Sequence, residues 1–154
     1  MKRILFLLLL LLSACITNRK PQLTEGHYLK LESCKWNTVE LYGKALLKPD
    51  GGKSPFLDFS KGENVVHGNG GCNSMSGKYV AHDDLLTFSS IAHTERACMD
   101  NAINEQESFF FKAIGETERY KIHTRLFSGT KMQVLELYKD KTLLAVFEAD
   151  SLTY

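Results

Sequence analysis

Gly68-Asn69-Gly70-Gly71-Cys72-Asn73, followed by Ser76-Gly77-Lys78-Tyr79, is the stretch on which the fold turns. Gly68, Gly70 and Gly71 permit a positive φ or a close backbone approach, as at a tight turn or bulge between strands. Asn69-Gly70 is a favoured hairpin dipeptide, and Asn73 is suited to bond its side chain to nearby backbone. A phosphate loop is excluded: no Lys-Ser/Thr follows the glycines, and they do not open a helix in a βαβ unit.

Strand patterns flank this turn on both sides. Trp36, Val39 and Leu41 mark a first strand that ends near Gly43. Lys48-Pro49-Asp50-Gly51-Gly52 is turn chemistry. Leu57 and Phe59 share a face at a period of two, and Val65-Val66 starts the return after Lys61-Gly62-Glu63-Asn64. Lys78-Tyr79-Val80 and Leu85 to Phe88 form a hairpin around His82-Asp83-Asp84. Tyr120, Ile122 and Thr124 alternate, Val134 to Leu137 leads into Lys139-Asp140-Lys141, and Leu143 to Phe147 comes back. Seven or eight short strands at about ten-residue spacing predict an antiparallel meander or barrel.

From Asn101 to Ile114 the period changes to that of a helix. Ile103, Glu107, Phe110, Phe111 and Ile114 fall on one side, and Gly115 is placed to cap the C-terminus. Phe109, Phe110 and Phe111 cannot all face one way, so two are expected to plug the sheet and Phe109 to lie on the flank. The fold class read from these patterns is mainly β (α+β): a curved antiparallel sheet or half-open barrel with one packed helix.

Trp36, Gly71-Cys72-Asn73, Gly77-Lys78-Tyr79, Thr94 to Cys98 and a helix with Glu107 and Phe110 occur in one order over about Lys35 to Phe147. This order resembles the META-domain family, whose bacterial members include the heat-shock protein HslJ. Ile114 stands where that family has leucine. The resemblance implies the half-open antiparallel sheet with one helix, a role in the envelope or in stress, and no enzyme activity. It makes Trp36, Gly68, Gly70, Gly71, Asn73, Gly77, Tyr79, Thr94, Glu107 and Phe110 fold-signature residues. The family's fold has been likened to pilot lipoproteins that hold lipid in a cavity.

The N-terminus predicts where the domain works. Lys2 and Arg3 precede an apolar run from Ile4 to Leu12, and Ser13-Ala14 offers small cleavage-site residues before Cys15. The run is a secretory signal peptide, too short for a comfortable membrane span, and Leu12 to Cys15 resembles a bacterial lipobox. Cleavage before Cys15 and acylation of its sulfur and amine would give two or more chains, enough for a stable anchor. Three segments follow: residues 1–14 as lipoprotein signal, 15–28 as lipidated tether, and 29–154 as the domain. The tether reaches about 40 Å at full stretch. Ile16, where an inner-membrane retention signal would be Asp, points to the outer membrane, facing the periplasm.

Removing Lys2 and Arg3 turns 19 basic and 18 acidic residues into 17 against 18, a net charge of −1. No nucleic-acid footprint is present, and strong attraction to anionic headgroups is not expected. With Cys15 lipidated, Cys34, Cys72 and Cys98 remain in an oxidising compartment. The preferred bridge is Cys72–Cys98, leaving Cys34 free; two buried thiols are the alternative. The bridge would tie the glycine turn to the segment before the helix.

Other chemistry is weakly specified. His67, Cys72, His93 and Cys98 are metal-ligand types, but their spacing matches no standard zinc finger, so no metal or cofactor is expected. Glu105 and Glu107, two apart on a helix, cannot act as a pair. A Cys98–His93 hydrolase lacks an orienting group and an oxyanion site. Two roles remain: a non-enzymatic binding or assembly module with an envelope protein partner, or a carrier of a lipid or other apolar ligand. An apolar pocket above ~300 Å³ between sheet and helix would favour the carrier. An unpaired edge strand or an exposed apolar patch would favour the module.

Overall fold

The structure, a computed structural model, describes residues 30–47, 54–96 and 99–150. The expected signal segment, Cys15, the tether, the Lys48–Gly52 turn and Cys98 lie outside these residues.

Nine strands and one helix follow the short 3-10 turn Leu31–Ser33: β1 (Lys35–Leu41), β2 (Lys44–Ala45), β3 (Phe56–Phe59), β4 (Val65–Asn69), β5 (Ser74–His82), β6 (Leu85–His93), α1 (Asn101–Glu116), β7 (Arg119–Phe127), β8 (Thr130–Lys139) and β9 (Thr142–Ala149). All the pairings are antiparallel, and each strand from β3 to β9 follows its neighbour in order. β1 closes the ring by pairing with β9 on one edge and with β3 and β2 on the other. The mainly β, curved-sheet reading therefore holds, and one strand is added to it. β2 has two residues, too few for a period-two signal; it is set by the turn at Tyr42 (φ 48°) and Gly43 (φ 78°). The hairpin between β7 and β8 turns in the same left-handed way at Ser128 (φ 48°) and Gly129 (φ 83°).

The ring is weakest between β6 and β7. A single residue pair, Leu85 with Arg119, joins them, flanked by backbone bonds from Leu86 to Glu118 and from Tyr120 to Asp84. Arg119 also pairs with Asp84 there. The helix is spliced into the chain at this point and forces the two strands apart. Beyond Tyr120 the β6-facing edge of β7 has no strand neighbour among the described residues. The sheet is thus a ring with one seam open.

α1 fills the ring. Phe110, Ala113 and Ile114 are fully buried with Trp36, Leu57, Leu135 and Phe147. Phe110 meets Phe147 edge-on at 6.5 Å. Phe109 packs on Tyr42 at the flank, and Phe111 stacks on His93 at 4.5 Å. Asp100 caps the N-terminus by accepting from the Ala102 N–H. The helix does not stop at Gly115. It runs to Glu116 and is capped by Thr117, whose hydroxyl donates to the Ala113 carbonyl at 2.7 Å. That bond satisfies a terminal carbonyl without a left-handed glycine.

Across the floor of the ring, Leu31–Ser33 forms a strap. Trp36 Nε1 donates to the Leu31 carbonyl at 2.8 Å, and the Tyr79 hydroxyl donates to Glu32 at 2.8 Å. Two further tyrosines use the same device: Tyr42 donates to Glu116 at 3.1 Å and Tyr138 to Glu136 at 2.7 Å. Among the described residues the buried core cluster runs from Leu31 to Phe147, with Ala149 packed against it.

These pairs set the alkaline limit of the fold. Burial first, then the bond to a carboxylate, pushes Tyr42 and Tyr138 from 10.0 to about 12, and burial followed by the bond to Glu32 raises Tyr79 as well. Below pH 10 both the folded and the unfolded chain hold these protons, and the stabilisation is complete. Above it the unfolded chain ionises first and binds fewer protons, so stability falls through the folded values. The melting temperature should therefore drop steeply between about pH 10 and 12, with the share of tyrosinate absorbance that Tyr→Phe variants assign to Tyr42, Tyr79 and Tyr138 appearing together with unfolding. Ionisation of Tyr42, Tyr79 or Tyr138 at ordinary pH while the fold persists would contradict these contacts.

Candidate functional site

The glycine-rich stretch, the loop after β6 and α1 converge on one buried carboxylate. β4 delivers Asn69 to the turn, and the Asn69 side chain accepts from the Gly71 N–H at 2.8 Å. Gly70 N–H donates to the Asn73 carbonyl at 2.9 Å. Gly71 has φ +125°, a conformation that side chains strain to adopt. The turn aims two consecutive N–H groups at α1, and Glu107 Oε1 accepts both: Cys72 at 3.0 Å and Asn73 at 2.6 Å. Its other oxygen accepts from Asn73 Nδ2 at 2.6 Å. Glu107 is 6% exposed, so these charge-assisted bonds replace its water.

Asn73 passes the restraint on. Its Oδ1 accepts from the Arg96 N–H at 2.7 Å and from the Thr94 hydroxyl at 2.8 Å, and its Nδ2 donates to the Arg96 carbonyl at 3.2 Å. The carboxamide pairs with the Arg96 peptide as an adjoining strand would. Thr94 Oγ1 in turn accepts from the Ser74 N–H at 3.2 Å. Asn73 was expected to bond its own turn; Asn69 does that instead, and Asn73 reaches across to the next loop. Gly70 makes room for the carboxylate: a Cβ there would sit 2.7 Å from Glu107 Cγ and 2.8 Å from Oε1. A Cβ on Gly68 would sit 2.6 Å from the Phe56 carbonyl of β3. Gly77 lies at the β5–β6 bulge, directly under Ile91 and beside the Ser89 carbonyl.

Gly70, Gly71, Asn73, Thr94 and Glu107 are therefore one cluster. Trp36 and Tyr79 belong to the strap instead, and Phe110 to the core. Arg96 and Asn69 joined the cluster without being foreseen. Arg96 acts through its backbone, which no side-chain pattern reports; Asn69 was readable as an Asx turn. Gln106 was also missed: its amide clasps Leu47, accepting from its N–H at 2.7 Å and donating to its carbonyl at 3.3 Å. Cys72 Sγ lies 3.7 Å from the Arg96 carbonyl, and Cys72 is not among the free thiols, whereas Cys34 is free. Burial pushes the Cys34 thiol up to about 11. Among the described residues no group of His, Cys, Asp or Glu is placed to hold a metal.

Every acceptor of Glu107 and Asn73 is turned on the protein itself, so the cluster is a clamp. Two of the recesses among the described residues lie away from the clamp. One of about 240 Å³ separates α1 from the β1–β2 corner, lined by Leu41, Leu46, Ala102 and Phe109. It falls short of the ~300 Å³ that a typical small-ligand site needs. The other, a cleft of about 550 Å³, lies at the open seam between the strap and β7, lined by Lys30, Glu32, Asp83, Asp84, Tyr120 and Ile122.

Glu107→Ala should cost about 3 kcal/mol, because it removes the acceptor of the buried Asn73 N–H, of the part-buried Cys72 N–H and of one Nδ2 hydrogen of Asn73. Gly70→Ala should cost about 1–3 kcal/mol through the clash with that carboxylate. In denaturant melts of both single variants and the double variant, the two losses should fall clearly short of additive. Full additivity would mean that Gly70 and Glu107 do not act on each other.

Comparison with known proteins agrees with this geometry. The model of the META domain matches residues 29–151. A protein from Burkholderia xenovorans, solved by NMR, is 22% identical, with a TM-score of 0.58 over 79% of this chain and 85% of that one. A second protein solved by NMR is 18% identical, with a TM-score of 0.57 over 80% of this chain and 95% of that one. That chain is almost wholly this fold. No curated protein matches the chain. With the match spanning the ring, the clamp and the helix, the chain belongs to the META-domain family.

Proposed function

We propose that this META-domain protein is a lipid-anchored component of the cell envelope, held through Cys15 in the outer membrane facing the periplasm, and that its domain is a non-enzymatic binding or assembly module linked to envelope stress tolerance. The observation that carries the module reading is the open seam. β7 presents a strand edge from Ile122 to Leu126 with no strand neighbour among the described residues, and such an edge is a ready template for association. A filled ring and a sheet–helix recess of about 240 Å³ give the carrier reading less support. No helix among the described residues is long and apolar enough to cross a membrane. The anchor therefore rests on Lys2 to Cys15. The placement of Cys72 beside Arg96 supports a Cys72–Cys98 bridge that would lock the clamp.

Expressed in a Gram-negative host, the mature chain should begin at Cys15, incorporate labelled palmitate and fractionate with the outer membrane, and Cys15→Ser should abolish the label. An unlabelled chain, or one starting elsewhere, sinks the anchor. Native mass spectrometry of the unlipidated domain from Pro21 onward, purified from a periplasm, should show a bare polypeptide, lighter than its reduced mass by the hydrogens of one disulfide. An apolar mass released by organic solvent would transfer the role to a carrier. Reduction should lower stability by roughly 3–4 kcal/mol, the loop-closure value for the 72–98 span; an unchanged melt would remove the bridge.

A further inference from the structure

The hairpin of β7 and β8 outgrows the ring. β9 pairs with β8 only as far as Val134, yet β7 and β8 stay paired to Phe127 and Thr130. Every residue from Thr124 to Lys131 is exposed. The result is a two-stranded arm about 13 Å long, at 3.3 Å per residue. A lone two-stranded ribbon is marginal in water, and this one carries Leu126 at 68% and Phe127 at 65% exposure. Consecutive strand residues point to opposite faces, so these two side chains leave both faces of the tip apolar. A groove on a protein partner would cover one face; a lipid interface surrounds both.

The charge of the arm is one-sided. From Arg119 to Leu135 there is no acidic residue, against Arg119, Lys121, Arg125 and Lys131. Arg119 and Arg125 are paired with Asp84 and Glu136. Lys121 and Lys131 are exposed and make none of the ion pairs among the described residues. The location fits as well. Lys30, where the N-terminal segment joins the domain, lines the same cleft as Tyr120 and Ile122 at the root of the arm. A chain leading back to Cys15 therefore departs beside the strand that carries the exposed tip.

We propose that the arm is a membrane-contact device, with Leu126 and Phe127 seated in the interface of an anionic bilayer and Lys121 and Lys131 on its headgroups. Its length suits an interfacial depth of roughly 5–10 Å. This deepens the envelope reading and rests on it: the acyl chains would supply attachment, and the arm would supply orientation, at the high local concentration that tethering gives.

The test uses the unlipidated chain from Pro21 onward, since the buried core cluster among the described residues lies within Leu31–Phe147 and a solved chain of the same fold is covered over 95% of its length. Sedimentation with phosphatidylcholine vesicles, with and without phosphatidylglycerol, should show at least about tenfold stronger partition onto the anionic vesicles at low salt, lost as salt screens the charges. Leu126→Ser with Phe127→Ser should reduce that partition at least about tenfold with an unchanged melt, because both side chains are already exposed. Lys121→Glu with Lys131→Glu should erase the preference for the anionic lipid. Partition that ignores both pairs of substitutions, or no partition at all, overturns the proposal. Self-association lost in the Leu126→Ser/Phe127→Ser variant, without vesicle binding, would assign the tip to a second copy and overturn it too. Palmitate on Cys15 alongside failed vesicle binding would leave the anchor standing and remove only the arm.

Discussion

One buried carboxylate holds this architecture together. Glu107 comes from the helix, yet two of the donors it satisfies belong to the backbone of a turn 34 and 35 residues earlier. Buried N–H groups that miss their partner cost about as much as a lost hydrogen bond, and more when a charge is involved. The β4–β5 turn, the loop after β6 and the helix must therefore arrive together. Gly70 is the steric condition for that meeting, and Asn73 is the relay that extends it to Arg96.

Fixing the helix in this way also decides the shape of the sheet. A helix spliced between β6 and β7 and drawn into the ring cannot leave room for a full ladder between those strands. The same placement that completes the core with Phe110, Ala113 and Ile114 opens the seam at Leu85 and Arg119. The filled interior and the edge of β7 that has no strand neighbour among the described residues are two results of one packing choice.

Much of this was readable from residue order. Period-two runs placed the long strands, and the change of period at Asn101 placed the helix. The glycine stretch announced a turn with tight approach, and the META resemblance singled out Glu107, but not the bonds that join the two. What escaped had physical reasons. β2 is too short for any period. The helix end was assigned to Gly115, but a side-chain bond from Thr117 does the capping, and Gly115 keeps open space around it. The role of Asn73 depended on the Arg96 backbone, which carries no side-chain signal. A net charge near zero hid the acid-free run from Arg119 to Leu135, because whole-chain totals average over faces that never meet.

The ring closes through its first and last strands, and that closure has a mechanical meaning. β1 is bonded to β9 along one edge and to β3 and β2 along the other, and the two ends of the domain are stitched by the Asp150 N–H to the Lys35 carbonyl and by the Lys35–Asp150 ion pair. A pull from the residues before Lys30 reaches the sheet through Trp36, whose indole is bonded to the strap, and then runs along β1. Load on β1 is shared at once by ladders on both sides, so it shears many bonds together where a hairpin pulled from its tip would open them one by one. Tension applied at the N-terminal side of this fold therefore falls on a strand that is laddered along both of its edges.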